Sequence, residues 1–129
     1  MLERAFAVAW TFAAIARAAA RVCFHERGGS IPDIVSRLRS TSHGSACDPR
    51  LSLAVLERFL PFLPPYRLGR CVKRSFYLLD LWSRAGLSPS FHLGLRETGE
   101  DRRGHAWITT RTREYETYRP PDVLEAFRA

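Results

Sequence analysis

Cys71 opens an amphipathic stretch, Arg70-Cys71-Val72-Lys73-Arg74-Ser75-Phe76-Tyr77-Leu78-Leu79, and a histidine follows in the strand-like Gly104-His105-Ala106-Trp107-Ile108. A thiolate is a nucleophile. At a helix N-terminus the dipole and the unsatisfied N–H groups favour the ionised form, and a neighbouring imidazole can carry the proton. Together the two residues suggest a thiol protease, which also needs a group to orient the base and donors for the oxyanion. The Cys71 backbone N–H is one such donor. Gly69 would let backbone approach a substrate closely, although a glycine there serves equally as an ordinary turn residue.

The third member must share a sheet face with His105. A hairpin closed by Arg111-Thr112 sets position 105 opposite 118, 107 opposite 116 and 109 opposite 114, so Glu114 and Glu116 share the His105 face. Glu116 lies diagonally beside the histidine and is preferred, with Glu114 as the alternative. Trp107, one strand period after His105, would shield the pair from water or simply pack the sheet. His92 is a rival base on the preceding strand. A buried helical cysteine also serves as a small core hydrophobe, so the residues alone leave a structural role for Cys71 open. Cys23, in an alanine-rich helix, and Cys47, in a polar loop, are poorer nucleophiles. No Cys or His pair has close zinc-ligand spacing, so a zinc site is not expected.

The elements that must hold these residues can be read from periodicity. An alanine-rich helix spans Ala5 to Phe24, with Phe6, Trp10, Ala13 and Arg17 recurring at helical spacing as the expected packing stripe. It begins like a signal peptide, but Arg17 and Arg21 interrupt any membrane span, so a helix packed on the domain or on a partner is expected. Gly28-Gly29 breaks it, and Asp33 to Arg39 forms a short second helix. After a polar loop from Ser40, Asp48 as N-cap and Pro49 at the first position open a third helix, Arg50 to Leu60. Pro61, Pro64 and Pro65 end it.

From Cys71 to Ala85 a fourth helix sets Cys71, Ser75, Leu78, Leu79 and Trp82 on one side, and Gly86 stops it. Ser90 to Leu95 alternates as a half-buried strand, and His105 to Thr110 and Arg113 to Tyr118 read as a hairpin. The order is helices first and strands last. It predicts an α+β fold in which an antiparallel sheet backs the Cys71 helix.

The chain has 129 residues, 46% hydrophobic and 26% charged, which suits a single globular domain: residues 1–49 as a helical N-terminal part and 50–129 as the catalytic core. Three cysteines without a convincing export signal predict reduced thiols and a cytoplasmic protein. The net charge of +7 comes almost wholly from arginine and attracts anionic partners. No helix-turn-helix, zinc-finger or RNA-binding signature accompanies it, so nucleic acid is not expected.

The segments Gly69-Arg70-Cys71-Val72-Lys73-Arg74-Ser75, Arg84-Ala85-Gly86-Leu87, His92-Leu93-Gly94-Leu95 and Gly104-His105-Ala106-Trp107 closely resemble the peptidase domain of lasso-peptide B proteins, over roughly residues 50–129. These are transglutaminase-like cysteine proteases. The resemblance implies a papain- or transglutaminase-like fold and gives Cys71 and His105 the nucleophile and acid–base roles of a Cys-His-Asp triad. The family's third residue is commonly Asp, whereas the nearest acidic residues after His105 here are Glu114 and Glu116.

Residues 1–60 lack the hairpin pattern of a fused leader-recognition domain, so the chain resembles the split form. That form implies three partners: a precursor peptide with its leader, a separate small recognition protein and an ATP-dependent cyclase. Two other readings stay open from the sequence. One is a non-catalytic docking subunit of a peptide-maturation complex, and the other is acyl transfer to an amine in place of water.

Overall fold

The computed structural model describes residues 2–27, 29–39, 48–96, 104–110, 117 and 123–129. Four helices precede three strands: α1 (Leu2–Glu26), α2 (Ile31–Arg39), α3 (Pro49–Phe59) followed by a 3₁₀ turn (Leu60–Phe62), α4 (Arg70–Arg84), β1 (Ser90–Arg96), β2 (Gly104–Thr109) and β3 (Val123–Arg128). The strands form one antiparallel sheet in the order β2-β1-β3. This is the expected α+β fold, with the sheet behind the Cys71 helix.

Helix α3 begins as its sequence dictates. The Asp48 carboxylate accepts the Arg50 N–H at 3.0 Å and Pro49 occupies a position whose N–H would be unsatisfied anyway. Helix α4 is central: Phe76, Tyr77, Leu78, Leu79 and Trp82 are all buried, with α1, α2 and α3 on one side and the sheet on the other. Each such side chain contributes roughly 1.5–3 kcal/mol relative to exposure. The Asp80 carboxylate, fully buried, is held by Arg21 of α1 and by Arg84 at 3.4 Å, and Arg21 also donates to the Arg37 carbonyl of α2 at 3.0 Å. One paired charge thus ties three helices together, and removing either partner would strand the other.

Three expectations are corrected. Helix α1 does pack on the fold, but through Thr11, Ala14, Ile15, Ala18 and Val22. Phe6, Trp10, Ala13 and Arg17, the stripe expected to pack on the domain or on a partner, do not pack on the domain and face out. The bulky apolar residues gave the more obvious pattern, yet the close approach of α1 to α4 selects the ridge of smaller side chains.

The hairpin partner of β2 also differs. The expected register sets Tyr115 opposite Ile108, whereas Thr117 is there, its N–H donating to the Ile108 carbonyl at 3.0 Å and its Oγ1 accepting the Ile108 N–H at 2.8 Å. The expected strand from Arg113 to Tyr118 otherwise lies outside the described residues.

The third difference is β3, which has no counterpart in the sequence reading. It makes β1 the central strand, and the Phe91 N–H and carbonyl are bonded to Ala129. Phe91 on one face of β1 and His92 on the other are both buried, where the alternation predicted one buried face.

Candidate active site

Cys71 is the second residue of α4, in its first turn. Gly69 is the N-cap, with φ −60°, and no side chain caps the helix. That backbone angle suits any residue, and a Cβ at Gly69 would meet nothing within 4 Å, so the turn does not require glycine. What the glycine does is leave the N–H groups of the first turn without a side-chain acceptor, available to a developing oxyanion.

The segment leading into this turn is fastened by α4 itself. Lys73 Nζ donates to the Leu63 carbonyl at 2.8 Å, and the Tyr77 hydroxyl donates to the Pro64 carbonyl. Burial lowers the Lys73 pKa and raises that of Tyr77, with Cys23 and Tyr66 adding to the latter, so the phenol stays a protonated donor. Arg74 and Arg70 both pair with Glu57 of α3, at 2.6 and 3.4 Å. The thiol itself is half-buried and packs against the apolar core, as its inward phase on α4 required.

His105 is half-buried near the start of β2, opposite Gly94 of β1, with its ring 6.3 Å from that of Trp107 at an interplanar angle of 21°. Strand alternation and the pairing of β1 with β2 place His92, Gly94, His105, Trp107 and Thr109 on one face. Phe91, Ala106 and Ile108 take the other, where Phe91 stacks on Phe76 of α4 at 5.7 Å.

The structure thus brings His105 together with Trp107 and His92, while Cys71 joins the core on the α4 side. The Cys71 thiol makes no hydrogen bond to a described residue. α4 lies mainly over β2, on the sheet face opposite the one that carries His105. Glu116 and Glu114 lie outside the described residues, as does Cys47. Cys23 is a free thiol, part-buried on α1.

His92, the rival base, has both nitrogens engaged. Nδ1 meets the Glu125 carboxylate, which can only accept, so Nδ1 carries the proton; Nε2 lies 2.7 Å from Thr109 Oγ1. Its ring stacks on Trp107 at 5.2 Å with 5° between planes. A nearly buried imidazole held on two sides and one face is a strut for Trp107. Sequence reasoning missed the Glu125 partner because the strand that carries it went unread.

Residues 4–127 match the family model of the transglutaminase-like superfamily. No curated protein and no solved structure matches the chain. Helices followed by a small antiparallel sheet agree with that match over nearly the whole length. The chain belongs to the transglutaminase-like superfamily.

Proposed function

We infer that this protein is a cysteine peptidase that removes the leader from a ribosomally made lasso-peptide precursor, freeing the core N-terminus for ring closure by a separate cyclase. The transglutaminase-like family is compatible with a cysteine peptidase. The observation that carries the reading is Cys71 in the uncapped first turn of α4 followed by Gly104-His105-Ala106-Trp107 on β2, the strand over which that helix packs.

In the proposed mechanism the Cys71 thiolate attacks the carbonyl carbon at the leader–core junction, and first-turn N–H groups bind the oxyanion. His105 gives its proton to the departing amine. The leader then remains as a thioester on Cys71, until water, deprotonated by His105, releases it as a carboxylate. Glu116, or Glu114 in its place, orients His105. The scheme requires Cys71 and His105, which lie on opposite sides of the sheet in the free protein, to be brought into contact when the precursor binds.

The precursor peptide, a small leader-recognition protein and an ATP-dependent cyclase are the proposed partners, in the cytoplasm; the peptidase step itself calls for no cofactor. Mass spectrometry of the precursor incubated with this protein and the recognition protein, beside a Cys71→Ala control, tests the reading. Loss of the leader only with the intact thiol supports it. An equally trimmed precursor in the control overturns it, and an untouched but bound precursor favours the docking subunit.

A further inference from the structure

No described residue covers the outer face of α1. Leu2, Phe6, Val8, Trp10 and Phe12 are exposed, Leu2 and Phe6 to 88% and 70%, with Ala5, Ala7 and Ala9 among them and Glu3 and Arg4 exposed at the start of the helix. From residue 5 to residue 20 the only charged side chain is Arg17. The Thr11 hydroxyl turns inward and donates to the Ala7 carbonyl at 2.7 Å. Phe6 and Trp10 stack on one another at 6.3 Å, while Phe12, on the flank toward α3, meets Phe59 edge-on at 5.3 Å.

An exposed apolar surface of this extent marks an interaction site. Its chemistry selects among occupants. A protein partner typically exchanges roughly one hydrogen bond per 100–200 Å² of interface. Along residues 5–20 only the Trp10 indole and Arg17 have outward polar groups to exchange. A second copy would bring another +7 charge against the first. An anionic lipid surface requires no hydrogen bonds from the apolar face and attracts the charge. Aromatic side chains and arginine are the residues that settle at its headgroup boundary.

The best 18-residue window of α1 has a mean hydropathy of 1.4, long and apolar enough to cross a bilayer, yet 28% of it is buried against the rest of the fold. A helix so attached lies along a membrane surface. Arg17 stands beside Trp10, Ala13 and Ala14 at a notch of about 210 Å³, where its guanidinium can hold a headgroup phosphate.

We propose that the outer face of α1 docks this protein on an anionic lipid surface, with Leu2, Phe6 and Trp10 in the acyl boundary and Arg17 at the headgroups. The inference stands apart from the peptidase reading and does not depend on it.

The test is flotation of the full chain with vesicles of phosphatidylcholine containing phosphatidylglycerol, beside vesicles of phosphatidylcholine alone. Tryptophan emission is followed in parallel. Trp82 and Trp107 are buried, so a blue shift on adding vesicles reports Trp10. The wild type is expected to float with the anionic vesicles, with a blue shift. The double variant Phe6→Ser, Trp10→Ser should stay at the bottom with unchanged circular dichroism, and Arg17→Gln should weaken partition about five-fold. A wild type that stays at the bottom with both vesicles overturns the proposal, whether light scattering then finds a dimer or a monomer. So does a double variant that floats as well as wild type.

Discussion

Glu125 reaches the His92 ring because β3 carries an extra residue. His92 pairs with Arg128 and Leu93 with Phe127, but Gly94 pairs with Glu125, so Ala126 is left without an opposite number. In an unbroken ladder Glu125 would face Leu95, on the opposite face of the sheet from His92. The bulge moves it across. The carboxylate then holds His92 Nδ1, and His92 holds Trp107 in a stack.

Glu125→Ala is therefore expected to destabilise the fold by about 1–2 kcal/mol, with Glu125→Gln milder because an amide oxygen still accepts from Nδ1. Urea denaturation of both variants checks this. Equal losses for the two would mean that the charge, and not the hydrogen bond, is what His92 needs.

Tyr77→Phe leaves the Pro64 carbonyl without its phenol donor at the entry to the Cys71 helix. A loss of about 1–3 kcal/mol in thermal or urea unfolding is expected. Because burial raises the Tyr77 pKa above its ordinary 10, the unfolded chain releases that proton first as pH rises. Stability should be constant with respect to this group below pH 10 and fall above it, and Tyr77→Phe should flatten that fall.

His25 carries the opposite dependence. Burial, aided by Arg21 and Arg37 and opposed by Asp80, lowers its pKa from 6.5, and among the described residues its enclosed Nδ1 has no hydrogen-bond partner. Below pH 6.5 the unfolded state binds the proton more readily than the folded one, so stability falls as pH drops through that value toward the lowered folded pKa. Urea midpoints for wild type and His25→Gln at pH 7.5 and 5.5 measure it. The variant should show the smaller difference, and an identical difference would remove His25 from the account.

If the peptidase reading holds, His105→Ala should lower the rate of precursor cleavage by roughly 10²–10⁴-fold while circular dichroism stays unchanged. Glu116→Gln should lose activity and Glu114→Gln should keep it; the reverse outcome transfers the orienting role to Glu114. Cys71 should alkylate faster than Cys23 and Cys47 near neutral pH, and equal rates would favour a structural thiol.

Local chemistry wrote part of this protein plainly. The Asp48-Pro49 start of α3, the inward phase of Ser75, Leu78, Leu79 and Trp82 on α4, and the alternation along β1 and β2 depend on residues a few positions apart, where capping and periodicity act. Cys71 and His105 were legible as candidates for the same reason: one is placed by the start of a helix, the other by a strand pattern.

What the tertiary structure decided depends on partners far along the chain. Which face of α1 turns inward was set by how closely α4 approaches, so small Ala14 and Ala18 are buried while Phe6 and Trp10 face outward. Val123–Arg128, with the helix formers Leu124, Glu125 and Ala126, becomes a strand because β1 offers it an open edge. The bulge that gives His92 its carboxylate exists only in that pairing. Strand register and helix facing are set by contacts between distant segments, and no local pattern encodes them.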